Sequence, residues 1–557
     1  MRKLIAIITL CFLFQAIFYC AEQPIWEGLD EWAHFAYVQN LSEHGRIPVP
    51  GDETSIEVSR SLQYLPLPYE PGGRIHTELT HDQYWQLPAN ERASRRAALR
   101  QIPQSARWDT GGAGLYEAQQ APLYYILMVP VYRLFRHAPL AGRLLAVRIA
   151  SVVIASLLIP LVYANARELL GSRRIALLVA CLAASLPGLL IDVSRAGNES
   201  LAVVLGATMT LLLIRAIRHG TGLGEWLALG LIIGLGLLTK AYFLAFLPLI
   251  PALALALAFL RQNSERKGAS SREHPWKTQF TRAALALLIS IALGAPWYAR
   301  MERLTGSLSG EKNAAAIAQQ GIAAKLAAAL QINWARIVYE QVYSQIWVGG
   351  WSFLRVRLWM YAVFELVGLI CAAGLIVYAI RRIRRGRVEW MSLAVAMLFA
   401  TLILFEPGLF YQALAVYMTD HQAFGPGWYF YVLLVPQLLL LAVGAWALFG
   451  KFGAARLAAC ATFLAVALNL YTMHLLLMPY YTGLIAHTPN GAFRPGHIGL
   501  VLEEIVGTQI ARSPFVSTGI LTPAIFSVSW ILYVLCACIP AILAFRISYF
   551  SRKARHK

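Results

Sequence analysis

The stretch "LVGLICAAGLIVYAIRRIRRGR", Leu366 to Arg387, sets the class of the whole chain. Extended back to Leu358 it is an apolar run whose only charge is Glu365, and it ends in Arg381, Arg382, Arg384, Arg385 and Arg387. At ~1.5 Å per helical residue, such a run matches the ~30 Å hydrocarbon thickness of a bilayer. Arginines crowded into a short connector hold that connector on the cytoplasmic side.

The same alternation extends through all 557 residues, of which 58% are hydrophobic and only 14% charged. The mean hydropathy of +0.56 lies far from that of a soluble domain. Long uncharged runs, rather than short alternating segments, exclude a membrane barrel, so the expected class is an all-α polytopic membrane protein. The net charge of +19 would suit a nucleic-acid binder if the cations formed one stripe. They sit instead in connectors: Arg261, Arg266, Lys267, Arg272, Lys277 and Arg282; the arginines above; and Arg552, Lys553, Arg555 and Lys557. The implied partner is the lipid bilayer, with no nucleic acid. Seven cysteines, in or beside apolar runs and without metal-like spacing, are expected to be core residues.

Placing those connectors and the N-terminus inside gives about twelve crossings. They are Lys3–Cys20, read as a retained span rather than a cleaved leader, Leu144–Ala166, Ile175–Leu190, Leu201–Ile214, Leu223–Leu238, Tyr242–Leu260, Ala283–Trp297, Leu358–Ile380, Met391–Phe405, Trp428–Phe449, Leu457–Met478 and Ile525–Phe545. Pro122–Phe135, interrupted by Pro130, is too short to fit the alternation. It reads as a half-helix entering from outside or as a short extra span, which makes the expected count 12 to 13. Three parts follow: a module over 1–300 with a large extracytoplasmic loop at 21–120, a second outer loop at 301–357, and C-terminal spans over 358–557. The first loop holds 14 of the 29 carboxylates, so acidity is concentrated on one side of the membrane.

Within that loop, Gly28–Leu41 reads as an amphipathic helix lying on the bilayer surface. Asp30 and His34, four apart, share a face, and Glu31 points ~100° away. A partly desolvated carboxylate here suits a general base, and solvated acids on a surface helix are the plainer reading. Asp30 and His34 alone do not make a metal site. No G-x-x-x-x-G-K-S/T loop occurs, which removes a nucleotide-hydrolysing reading of the acidic pair.

In order along the chain come "LDEWAHFAYVQNLSEHGRIP" from Leu29, "YEAQQAPLYYILMVPVYRLF" from Tyr116, "SRAGNESLAVVLG" from Ser194, "GLGLLTKAYFLAFLP" from Gly234 and "ALGAPWYA" from Ala292. This succession resembles the GT-C superfamily of integral-membrane glycosyltransferases, and within it the bacterial relatives of protein O-mannosyltransferases and of the aminoarabinose transferase of lipid A. The resemblance covers about the first 300 residues. It implies a polyprenyl-phosphate sugar as donor, an extracytoplasmic acceptor (lipid, glycan or protein), and a bacterial inner-membrane enzyme whose site faces the periplasm. It maps the catalytic acids onto Asp30 and Glu31, the polar-acidic pair of a later span onto Asn198 and Glu199, and the donor-phosphate lysine onto Lys240. Ala121, Ala241 and Glu199 depart from the usual proline, glycine and aspartate, and "FGPGWYFYVLLVP" from Phe424 lacks the arginine found in one branch.

Arg195 joins Lys240 as a candidate phosphate partner at a span end, and Arg143 and Arg148 are second choices. Cations there also snorkel to headgroups. Glu117, which precedes the helix of Tyr124 and Tyr125, is a candidate ligand for acceptor or metal, or a helix-dipole partner. His34, Glu117, Tyr124, Arg195, Asn198, Glu199 and Lys240 thus form the expected binding set. The cofactor is unknown, with a divalent cation such as Mg or Mn left open. Aromatic residues from Trp334 to Trp351 suit a lid or an interfacial belt, and Asp420 and His421 face the same side without an assigned role. Two rivals stand at this point: a polysaccharide polymerase or ligase with polyprenyl-pyrophosphate donors, and a lipid or solute transporter. Transport calls for ionisable groups in mid-span, where only Glu365 lies.

Overall fold

The computed structural model describes residues 2–67, 79–265, 275–386, 389–488, 499 and 503–553. Arg266, Lys267, Arg272, Arg387, Arg555 and Lys557 of the basic connectors lie outside these. The helices in order are α1 (Arg2–Glu22), α2 (Glu31–His44), α3 (Ile56–Tyr64), α4 (His81–Gln86), α5 (Ala89–Arg100), α6 (Leu123–Leu134), α7 (Leu140–Ser156), α8 (Leu158–Leu170), α9 (Arg173–Ala184) and α10 (Pro187–Val193). They continue with α11 (Glu199–His219), α12 (Leu223–Leu237), α13 (Leu249–Glu265), α14 (Pro275–Thr305), α15 (Lys312–Ile317), α16 (Ile322–Ala329), α17 (Trp334–Ile346), α18 (Leu358–Arg384), α19 (Trp390–Asp420) and α20 (Leu434–Thr472), and the chain closes with the helix Pro523–Lys553. One short antiparallel pair, β1 (Glu53–Ser55) and β2 (Thr110–Gly114), lies in the first loop.

Among the described residues, nine helices are long and apolar enough to cross a membrane, or ten if α9 and α10, bent by 60°, count as one span. The helical run Gly427–Tyr481 holds two of the expected crossings. Straight, the 39 residues of α20 would reach ~58 Å, about twice a bilayer's hydrocarbon core. Gly450, at φ 65° and ψ −177°, breaks the run between the two apolar stretches, a conformation open to glycine at no steric cost. α12, with 15 residues, and α6, with 12, are shorter than a crossing.

Packing between spans relies on small residues and buried polar links, as expected where lipid offers no hydrophobic drive. α18 and α20 touch backbone to backbone: a Cβ at Gly374 would lie 2.1 Å from the Gly444 carbonyl oxygen, and one at Gly444 would lie 2.0 Å from that of Cys371. Asn469 of α20 donates to Gln15 of α1 (2.8 Å) and accepts from the hydroxyls of Tyr19 (2.8 Å) and of Tyr533 in the C-terminal helix (2.9 Å). This knot joins three spans. At one end of the bundle, Glu168 binds Arg218 (3.1 Å) and Arg215 (3.7 Å), and Arg382 binds Glu389 (2.5 Å). The end of the first loop, the start of α11 and the end of α12 meet elsewhere, through Gln120 on Asn198 and Asn198 on the Thr239 carbonyl.

Two expectations need correction. α2 is not a surface helix, because Glu31 through Asn40 are all buried. α6 folds over it, stacking Tyr125 on Tyr37 at 3.7 Å and 11°, and β1 closes another side, so both faces are covered. α6 itself would reach only ~18 Å, too little to span, and its buried face serves α2.

Candidate active site

The chain leaves α1 through Gln23–Asp30, a segment pinned along its length. Glu27 accepts from the Ser352 amide (2.6 Å) and the Tyr481 hydroxyl (3.0 Å) and faces His81 at 3.2 Å. Gly28 lies so close to the α10–α11 turn that a Cβ would stand 2.6 Å from the Arg195 Cβ. Arg195 also donates to the Leu29 carbonyl. The segment ends at Asp30, the N-cap of α2, which holds φ 58° and ψ 12° in the left-handed region that few non-glycine residues occupy. Its carboxylate is half-buried and accepts the hydroxyl of Tyr116, a 38%-exposed residue that marks the accessible side of the site.

Glu31, the next residue, is fully buried. Arg148 meets it in a fork, Nε to Oε1 at 2.7 Å and Nη2 to Oε2 at 2.5 Å, and the Ala196 amide donates at 3.0 Å. Arg148 also donates to the carbonyls of Cys20 (2.9 Å), Gln23 (2.7 Å) and Pro24 (2.7 Å). All these partners are internal, so Glu31 and Arg148 hold the segment in place. Arg143 is likewise tied to Glu57 and Tyr132 within the fold. Arg143 and Arg148, expected as second-choice phosphate partners, and Glu31, expected as a catalytic acid, thus have their charged groups on partners inside the fold.

Around Asp30 stand groups from three other places in the chain. Glu117 is buried; burial, reinforced by the negative charge of Asp30, pushes its carboxyl up to about 8. Lys240, at the α12 exit, binds Glu199 at the start of α11 and lies over the rings of Tyr429 (5.0 Å) and Tyr242 (5.4 Å). Burial, with the Arg195 charge second, pulls its ammonium down to about 8. Arg195 completes the set, with Nη2 2.8 Å from Asp192 and 3.2 Å from Glu199. Asn198 donates to the Thr239 carbonyl (3.0 Å) and to Gln120 (3.1 Å), fixing the α11 start against the Lys240 turn.

Asp30, Glu117, Arg195, Asn198, Glu199 and Lys240 therefore come together. His34 does not join the Asp30 carboxylate. Its Nδ1 lies 2.7 Å from the Tyr125 hydroxyl, and burial with the charges of Arg195 and Lys240 holds the imidazole well below its ordinary value, hence neutral. Tyr124 faces Ser151 at 2.7 Å inside the α6–α7 contact. His421 caps α19, and Asp420 accepts from Asn313 at 3.4 Å. Sequence reasoning missed Tyr116, Asp192 and Tyr429. The i, i+3 spacing of Asp192 and Arg195 was a usable signal, but the others needed the fold. Among the described residues, no group of three or more His, Cys, Asp or Glu is placed to hold a metal ion.

Chemically, the arrangement offers one accessible carboxylate fixed in a strained conformation, a neighbouring acid whose hold on its proton is strengthened by burial, and two cations beside them. That combination suits deprotonating a hydroxyl next to a departing anion.

The profile of the family described as "Predicted membrane protein (DUF2142)" matches residues 12–424. No curated protein matches the chain. Among solved structures the chain is similar to ArnT from Cupriavidus metallidurans bound to undecaprenyl phosphate, at 11% identity and a TM-score of 0.44, over 98% of this chain and 77% of that one. It is also similar to the archaeal oligosaccharyltransferase AglB from Archaeoglobus fulgidus in complex with an inhibitory peptide and a dolichol-phosphate, at 13% identity and a TM-score of 0.40, over 85% of this chain and 55% of that one.

Proposed function

The chain belongs to the DUF2142 family of predicted membrane proteins, and from that premise we propose that it is a membrane glycosyltransferase of GT-C type. It moves a sugar from a polyprenyl-phosphate donor to an acceptor hydroxyl on the side of the membrane opposite the basic connectors, the exterior face of a bacterial plasma membrane. The observation that carries this reading is the left-handed Asp30 ledge, with its carboxylate on Tyr116 and with Glu117, Lys240 and Arg195 gathered beside it.

In the proposed reaction Asp30 takes the proton of the acceptor hydroxyl. The acceptor oxygen bonds to the anomeric carbon as the bond from that carbon to the phosphate oxygen breaks, and the electron pair leaves with the phosphate. One in-line displacement inverts the anomeric configuration. Lys240, exchanging Glu199 for the lipid phosphate, and Arg195 stabilise the departing charge. Protonated Glu117 adds no second negative charge beside the donor. Glu31 and Arg148 position the ledge.

The test uses membranes carrying Asp30→Asn or Lys240→Met, supplied with labelled polyprenyl-phosphate sugar. Loss of transfer in both, with intact folding, supports the assignment. Full transfer by Asp30→Asn rejects it.

A further inference from the structure

A second polar site lies away from these residues, in the segment "DQYWQLPANERASRRAALR" from Asp82 to Arg100. α5 carries Arg92, Arg96 and Arg100 at four-residue intervals, which a 3.6-residue helix aligns on one face. Arg95 is drawn off by Glu91 at 3.4 Å. The aligned arginines, with Arg512, line a cavity of about 520 Å³ whose described lining also holds His81 and Trp85 and no carboxylate. None of the four arginines has a carboxylate partner among the described residues.

The arginines are nevertheless held in place. Arg92 and Arg512 each lie 5.2 Å from the same Trp85 ring. Arg92 donates to the Trp85 carbonyl (3.0 Å), Arg512 to that of Thr482 (3.2 Å), and Arg100 to that of Ser517 (2.5 Å). Four guanidinium groups fixed around one space repel one another, and an anion between them relieves that repulsion. Guanidinium geometry favours phosphate. The cavity wall includes Pro24 and Ile25, just past the end of α1, and Thr518, in the short segment that leads into the C-terminal helix. It therefore opens at the level where two spans leave the membrane, which is where lipid headgroups lie.

We infer that this cavity binds the phosphate of an anionic lipid headgroup. The inference concerns binding alone and stands apart from the transfer reaction proposed above.

The test measures binding to the full-length protein in detergent by native mass spectrometry and thermal shift. The probes are short-chain phosphatidic acid, phosphatidylcholine of equal chain length, and inorganic phosphate. Phosphatidic acid is expected to bind at least about tenfold more tightly than phosphatidylcholine, and to weaken with ionic strength. Arg96→Gln, which gives up only a 3.5 Å contact to the Tyr84 hydroxyl, should weaken it by about tenfold. Ala93→Trp, which fills the cavity without removing charge, should abolish it. Equal protection by inorganic phosphate would overturn the lipid source. Unchanged phosphatidic acid affinity in folded Arg96→Gln and Ala93→Trp proteins would overturn the site.

Discussion

Glu31→Gln and Arg148→Met should each strip the protein of a large share of its stability, while Asp30→Asn, one residue away, should not. Glu31 and Arg148 are fully buried, and each is the other's charged partner. Removing either leaves an uncompensated buried charge, at a cost of about 3–5 kcal/mol. Arg148→Met also takes the guanidinium donor from the carbonyls of Cys20 and Gln23, worth about 1 kcal/mol each, and from that of Pro24, which keeps the Glu27 amide at 3.3 Å. Against a typical total of about 5–15 kcal/mol, either variant should melt well below the parent, and Arg148→Met the lower of the two. The double variant Glu31→Leu with Arg148→Met removes both charges and should recover part of the loss. Asp30 is half-buried on a single hydroxyl, so Asp30→Asn should stay within about 1 kcal/mol of the parent. The assay is thermal unfolding in detergent, followed by tryptophan fluorescence and by retention on size exclusion. Parent-like melting of both Glu31→Gln and Arg148→Met would refute a structural role for the pair.

The Glu117 carboxyl, raised to about 8 from an ordinary 4.5, binds its proton more tightly folded than unfolded. Its contribution to stability is whole below pH 4.5 and is lost as pH rises towards about 8; Glu117→Gln should flatten that part of the stability–pH curve. Tyr116→Phe removes the hydroxyl that orients Asp30 and should lower transfer about tenfold or more, with melting unchanged, as read by turnover and unfolding on one preparation. Asn469→Leu unties the Gln15, Tyr19 and Tyr533 links and should cost about 1–3 kcal/mol in thermal unfolding while leaving the site's pH response intact.

The spans were legible because charge segregation is a local property: each apolar run and its flanking arginines can be read without knowing their neighbours. Long-range partners were not legible. That Glu31 turns inward depends on Arg148, in another helix, and that α2 is buried on both faces depends on α6 folding back over it. The periodicity of α2 alone reports one covered face at most. The ordered motifs picked out Asp30, Glu199 and Lys240, and the start of the Tyr124 helix pointed to Glu117; these do converge, but the four-residue spacing set His34 beside Asp30, whereas His34 meets the Tyr125 hydroxyl and Asp30 that of Tyr116. The spacing of Arg92, Arg96 and Arg100 was visible in the sequence. Its meaning was not, because Arg512 and the ring of Trp85 complete the cluster only in the fold.

The central claim is tested most directly by the stereochemistry and base dependence of a single transfer. Purified protein would be given a polyprenyl-phosphate sugar of defined anomeric configuration and an envelope-lipid extract as acceptor, in parent and Asp30→Asn forms of equal melting temperature. The parent should give one labelled product of inverted configuration, and Asp30→Asn at least about a hundredfold less. A retained configuration, or undiminished product from Asp30→Asn, would contradict it.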